Sequence, residues 1–108
     1  MDLVNEQTIR MIRGSTLGFG VDVEEVILDG AFFSVKENAE DENYVFQKSL
    51  NNGITLEDGV YKVKVAPDDT KNLNCGIYKY DLEIVVGTDR YNIICGDLII
   101  EPDITREG

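Results

Sequence analysis

The sequence predicts an all-β protein: an immunoglobulin-like antiparallel β-sandwich of about seven strands, with one short helical turn near 67–73. Three observations predict it. Apolar residues alternate at period two with small or polar ones, most cleanly in Leu17-Gly18-Phe19-Gly20-Val21-Asp22-Val23. Glycine and Asn/Asp clusters punctuate the chain every roughly 8 to 14 residues, the rhythm of short antiparallel strands. Finally, two long strand-like runs, beginning at Gly76 and at Tyr91, flank the polar stretch Gly87-Thr88-Asp89-Arg90. That pattern signals a hairpin. Strands of this number and spacing, in a chain with almost no helical periodicity, belong to a sandwich.

Each element follows from local chemistry. Thr8 to Arg13 suits a first strand ending at Gly14-Ser15, although propensity alone also allows helix over Val4 to Arg13. Leu17 to Val23 is the second strand, and Val26 to Leu28 forms a short apolar bridge before Asp29-Gly30. Ala31 to Glu37 is the third strand, placing Ala31, Phe33 and Val35 on one face. The acidic run Glu37 to Asn43 is a loop, and a fourth strand follows around Tyr44 to Lys48. Asn51-Asn52-Gly53 is a turn, because these residues accept positive φ at little cost. Ile54-Thr55-Leu56 leads through Asp58-Gly59 into Val60 to Ala66, with Tyr61, Val63 and Val65 facing one way and Lys62 and Lys64 the other. Pro67 to Leu73 reads as one helical turn, with proline at its start and Asp68 and Asp69 beside the positive end of the dipole.

The final hairpin poses a register question. Tyr78, Tyr80, Leu82, Ile84 and Val86 share a face. A three-residue turn over Thr88 to Arg90 opposes them with Ile100, Leu98, Gly96, Ile94 and Asn92, whereas a two-residue turn brings Asp97 and Cys95 onto the same face. A slip of one residue reverses every side chain, so the register that keeps Asp97 out of the core, the three-residue turn, is selected. The same register places Cys75 and Cys95 about seven residues apart along the sheet, roughly 24 Å. A disulfide requires Cα atoms within about 7 Å, so both thiols are expected to stay unpaired, as suits a reducing compartment.

The bulk properties exclude several classes of function. At 108 residues the chain fits one domain spanning 1–108, with termini 1–7 and 104–108 expected to be flexible. Ten bases against 21 acids give a net charge of −11, which disfavours phosphate backbones and anionic membranes. No nucleic-acid or membrane partner is therefore expected. No apolar run approaches the roughly 20 residues of a bilayer span, and Met1 to Gln7 lacks the basic start and apolar core of a signal peptide. Synthesis in the bacterial cytoplasm is the expectation.

No constellation assembles a chemistry. The sequence contains no histidine, which removes Ser-His and Cys-His nucleophile pairs and the usual zinc sets built on two cysteines. No catalytic, cofactor-binding or metal residue is assigned, and no enzyme activity is expected. Gly18-Phe19-Gly20 lacks the third glycine and the following helix of a phosphate cradle. The pair Asp68 and Asp69 reads as surface acid. Glu40, Asp41, Glu42 and Asn43 offer oxygens to calcium, but without the EF-hand spacing a solvated loop is the expectation. Phe32, Tyr44 and Tyr91 are candidates for a sugar-stacking platform, weighed against core or rim packing. Lys62 and Lys64 read as charges that blunt a sheet edge.

Three groups of segments carry a likeness. Ile12-Arg13-Gly14-Ser15-Thr16 precedes the alternating Leu17 to Val23; Asn52-Gly53-Ile54-Thr55-Leu56 precedes Val60-Tyr61-Lys62-Val63. Ala66-Pro67-Asp68-Asp69-Thr70, Gly76-Ile77-Tyr78-Lys79-Tyr80-Asp81-Leu82 and Gly96-Asp97-Leu98-Ile99-Ile100-Glu101-Pro102-Asp103-Ile104-Thr105 complete the series. In this order, over residues 12–105, the chain resembles small β-sandwich domains of tailed-phage tails and baseplates, including the N-terminal domain of baseplate upper proteins. The resemblance implies a non-enzymatic phage or prophage structural protein, located in the virion and acting by assembly with other virion or tail proteins or with copies of itself. A carbohydrate- or host-surface-binding module of the same fold is the alternative. Baseplate upper proteins continue into a long helical or fibre region that this sequence does not show, so a standalone virion component or a prophage remnant, rather than a fibre-bearing or trimerising protein, is the expectation.

Overall fold

A computed structural model describes residues 5–23 and 26–104. Its elements are β1 (Asn5–Glu6), β2 (Ile9–Ile12), β3 (Leu17–Val21), β4 (Gly30–Lys36), β5 (Phe46–Leu50), β6 (Gly53–Glu57), β7 (Val60–Val65), α1 (Pro67–Thr70), β8 (Gly76–Val86) and β9 (Asp89–Glu101). The helical turn and every expected strand are present. The larger layer runs β1/β2–β9–β8–β4–β5 and the smaller β6–β7–β3. They join at a corner where Ser49 and Leu50 bridge to Gly53 and Ile54. Asn51 (φ 68°) and Gly53 (φ 98°) make that corner, using the left-handed tolerance of these residue types. Asp58 and Gly59 both take positive φ between β6 and β7, the geometry of a two-residue hairpin turn.

Three of the sequence expectations need correction. First, the β8–β9 turn is not the three-residue one expected from the sequence but a two-residue one, placed earlier than the two-residue alternative: Val86 pairs with Asp89 across Gly87-Thr88. Continued unbroken, that pairing sets Asp97 against Tyr78 and Cys95 against Tyr80, on the core face. The ladder instead shifts between Leu82 and Glu83, so that Leu82 faces Ile94 while Glu83 faces Asn92. Ile93 is thus the extra residue of a β-bulge. Beyond it Tyr80 faces Gly96 and Tyr78 faces Leu98, which keeps Tyr78, Tyr80, Leu82, Leu98 and Ile100 buried as the apolar face requires. Both cysteines are free.

Second, the sandwich is not wholly antiparallel. β1 and β2 both add to β9 in parallel, with Glu6 beside Cys95 and Ile9 to Ile12 beside Leu98 to Glu101. Third, residues 5–7 are built into the sheet rather than frayed, since an unpaired β9 edge leaves backbone groups to satisfy. The Gln7 N–H donates to the Cys95 carbonyl at 2.9 Å, and the Tyr80 hydroxyl donates to the Gln7 carbonyl at 2.7 Å. The expectation of flexibility at 1–4 and 105–108 falls outside the described residues.

An aromatic stack joins the two layers. Phe19 of β3 meets Phe33 of β4 edge-on at 5.5 Å between centroids, and Phe33 meets Tyr80 of β8 at 5.5 Å. Antibody domains couple their sheets instead through an inter-sheet disulfide packed against a tryptophan. Tyr78, near the start of β8, donates its hydroxyl to the Asn74 carbonyl at 2.6 Å, the tyrosine corner of immunoglobulin-like sandwiches. The α1 turn is fixed from both sides. The Asp69 carboxylate accepts the Ala66 N–H at 2.7 Å and pairs with Lys48 of β5 at 2.7 Å. Fully buried Thr70 accepts the Gly14 N–H at 2.8 Å. The architecture is an immunoglobulin-like β-sandwich.

Tyr78→Phe removes one buried hydrogen bond while keeping the ring. It is expected to cost about 1 kcal/mol, read as a fall of roughly 4–8 °C in Tm. Gly96 sits at φ 153°, where an added Cβ collides with the Gln7 carbonyl. Gly96→Ala is therefore expected to destabilise the fold by about 1–3 kcal/mol in urea unfolding. It should also expose the Gln7 amide to faster hydrogen exchange than the rest of β9's neighbours.

Candidate functional site

The alternation that buries one face of the larger layer presents the other to solvent, in cross-strand rows. One row is Gln47, Ser34, Asp81 and Cys95, running from β5 through β4 and β8 to β9. On one side of it lie Lys36, Lys79 and Asp97; on the other lie Phe32, Glu83 and Asn92. All of these except Asp97 and Asn92, with Tyr44 and Arg90, line an open cleft of about 390 Å³. Its polar groups hold one another in place. Gln47 Nε2 donates to Ser34 Oγ at 2.9 Å, Arg90 pairs with Glu83 at 2.6 Å and Lys79 with Asp97 at 2.5 Å. The Lys36 ammonium lies 5.2 Å above the Tyr44 ring, a cation–π contact.

Asp81 is the least comfortable member. Partial burial pushes its carboxyl above the usual aspartate value, the neighbouring Glu83 charge pushes the same way, and Lys36 opposes them. A charge held at such a cost is a common mark of a recognition surface.

Toward the far end of the same face the chemistry turns aliphatic. Ile77 of β8 lies opposite Ile99 of β9, which lies opposite Arg10 of β2. Ile12 lies opposite Glu101 further along β2 and β9. Ile77 is 59% exposed and Ile12 50% exposed. Arg10 and Glu101 pair across the patch at 3.5 Å. The face thus combines an apolar area with a polar cleft, the composition of a protein contact surface.

The residues singled out from sequence separate into three groups. Phe32 and Tyr44 come together in the cleft, whereas Tyr91 stands apart, opposite Ile84 at the tip of the hairpin. Asp68 is paired with Lys71, which lowers its pKa, and Asp69 is used by α1 and Lys48, so both acids serve structure. In the acidic loop the Asp41 carboxylate accepts the Asn38 N–H at 3.0 Å. No three carboxylates or thiols among the described residues are placed to hold a metal ion. Lys62 and Lys64 do not blunt an edge, because β7 lies between β6 and β3. Asp81, Glu83, Ser34, Gln47 and the Ile77 patch carry no signal in the sequence beyond their place in an alternating strand.

No protein-family model matches the chain, and no curated protein matches it. Solved structures do match. One is a marsupial T cell receptor, at 8% identity and a TM-score of 0.57, covering 94% of this chain and 52% of that chain. Another is the extracellular domain of the voltage-gated sodium channel beta4 subunit, at 15% identity and a TM-score of 0.49, covering 92% of this chain and 93% of that one. That subunit forms parallel homodimers that explain its own role in cell–cell adhesion. The chain spans about half the length of the receptor chain it matches. The receptor likeness bears on fold alone. Among the described residues, no helix is long and apolar enough to cross a membrane.

The Asp81 environment yields a test. The raised folded-state pKa means that the native protein binds this proton more tightly than the unfolded chain does. Stability from this group therefore falls as pH rises through the carboxylate range. After allowance for solvent screening, Asp81→Asn is expected to raise Tm by about 2 °C at neutral pH, with the gain shrinking on acidification. Parallel pH–Tm curves for the two proteins would contradict the assignment.

Proposed function

We propose that this chain is a non-enzymatic structural protein of a tailed-phage or prophage virion, associated with the tail or baseplate. It is made in the bacterial cytoplasm and acts by assembly with other virion proteins through the outer face of its larger layer. The observation that carries the assembly role is the aliphatic patch of Ile12, Ile77 and Ile99 beside the Asp81 cleft. Ile12 and Ile77 are exposed on an ordered sheet face with the half-buried Ile99 beside them, and such apolar surface gains free energy when a partner covers it. The virion setting rests on the ordered resemblance over residues 12–105. The non-enzymatic reading rests on the absence of histidine from the sequence and on a cleft in which Glu83 is already engaged by Arg90. A second reading, a carbohydrate- or host-surface-binding module, is favoured by the half-exposed Tyr44 ring beside the polar floor of Ser34, Gln47 and Asp81.

The test is incorporation. Wild-type protein is expected in purified particles by mass spectrometry. Ile77→Glu should leave stability within about 0.5 kcal/mol, as for other surface changes, yet be lost from particles. Absence of the wild-type protein from particles, or normal incorporation of Ile77→Glu, defeats the proposal. Retention of wild-type protein on a glycan column, abolished by Tyr44→Ala, favours the second reading instead.

A further inference from the structure

The opposite layer carries a second surface, which stands whether or not the chain is a virion component. Among the described residues β3 pairs only with β7, so its other edge presents free backbone N–H and C=O groups. Proteins ordinarily protect such edges with charge, proline or a bulge. The five residues of β3, Leu17-Gly18-Phe19-Gly20-Val21, contain no charge and no proline, and their pairing with β7 runs without a register shift.

The chemistry beside this edge is specific. Arg10, Arg13, Lys48, Lys71, Lys79 and Arg90 each pair with a carboxylate, and Lys36 lies over Tyr44. Among the described residues that leaves Lys62 and Lys64 as the bases without a partner, in a protein whose net charge is −11. Both point outward from β7, opposite Gly20 and Gly18 of β3. The glycines form one side of an open trough of about 700 Å³ that crosses the outer face of β3, β7 and β6, with Lys62 and Lys64 along its middle and Thr55 and Glu57 on its far side, away from the β3 edge. The Lys62 stem already lies across it, with Nζ 3.5 Å from where a Gly20 Cβ would stand. Because neighbouring strands lie about 4.8 Å apart, a four-carbon lysine stem can cross a bare glycine strand and reach the next strand position.

We propose that the free edge of β3 binds an extended segment of another protein by β-strand addition, selecting acidic side chains at alternate positions. Backbone pairing to β3 supplies the general affinity. Carboxylates spaced i, i+2 on the added strand project over Gly18 and Gly20, where Lys64 and Lys62 meet them. The surplus negative charge of this chain repels segments that place acids anywhere else on its surface, so the two lysines define both position and register.

The experiment is an NMR titration of the folded chain with a short, capped Thr-Glu repeat peptide at low salt, against a Thr-Lys repeat as control. Shifts are expected to cluster on the amides of Leu17 to Val21 and to fade with added salt. The double variant Lys62→Glu, Lys64→Glu should weaken binding about tenfold or more, whereas the Lys62→Arg, Lys64→Arg pair should retain it. Gly18→Thr provides a variant that folds, since its Cβ meets nothing nearer than the Val63 carbonyl at 3.8 Å; it should also weaken binding, by standing in the path of Lys64. The proposal is overturned by any of three results: no shifts at millimolar Thr-Glu peptide, equal shifts with Thr-Lys, or shifts centred away from β3. Sedimentation showing a dimer whose β3 amides are protected without peptide overturns it too, in favour of self-association.

Discussion

The arrangement of this protein depends on one extra residue in its last strand. The two-residue turn at Gly87-Thr88 sets a register that, continued, turns Cys95 and Asp97 toward the core. Burying a carboxylate without a partner costs far more than an aliphatic residue gains there. The bulge at Ile93 reverses the parity of everything beyond it. Tyr78, Tyr80 and Leu98 then fill the core, and Asp81 and Cys95 become one side of the outer cleft, with Asp97 next to it. The same reversal sends Ile77 and Ile99 outward. Core and outer face are thus two consequences of a single insertion.

The second constraint is the coupling between layers. Among the described residues only the short β5–β6 corner joins them through strand pairing, and side chains add to it. The Phe19–Phe33–Tyr80 stack bridges the layers, and aromatic pairs of this geometry contribute about 0.5–1.5 kcal/mol per pair beyond their burial. Around the rim, Lys48 and Asp69 tie β5 to α1, and Arg13 ties the chain after β2 to Asp103 and to the Leu73 carbonyl. The Lys48–Asp69 pair is mostly buried. Removing either partner leaves an uncompensated charge, the costly way to lose such a pair.

Much of this fold is legible in the sequence, because period-two alternation reports burial directly. Alternation assigns Ala31, Phe33 and Val35 to one face, and likewise Tyr61, Val63 and Val65, and each set is buried. Alternation says nothing about which strand lies alongside. That is why Lys62 and Lys64 read as edge blunting in sequence when β7 is interior, and why the parallel addition of β1 and β2 leaves no trace there. The hairpin register fails for a related reason. Alternation presumes a uniform ladder, whereas the chain recovers its apolar face through a bulge instead of a longer turn. The cleft is illegible because its parts come from four strands, and Ser34, Asp81 and Cys95 are ordinary until they are neighbours.

Where the sequence departs from the most stable choice, the departures fall on the two outward faces. Lys36 and Lys79 are direct cross-strand neighbours, and Asp81 sits beside Glu83 in partly buried surroundings. Like charges placed so destabilise a sheet, and surface positions offer many neutral substitutes. On the smaller layer, Gly18 and Gly20 give up the packing and propensity that a β-branched residue contributes to a strand. Gly20 has a local reason, because a Cβ there meets a Val60 methyl at 2.9 Å. Gly18 has none, since a Cβ there makes only an ordinary contact with the Val63 carbonyl. A chain that satisfies its core, corners and turns this consistently does not need an unprotected glycine edge for folding. Conflicts between local preference and global fold collect where a protein meets something else, and here they mark both outer faces while sparing the interior.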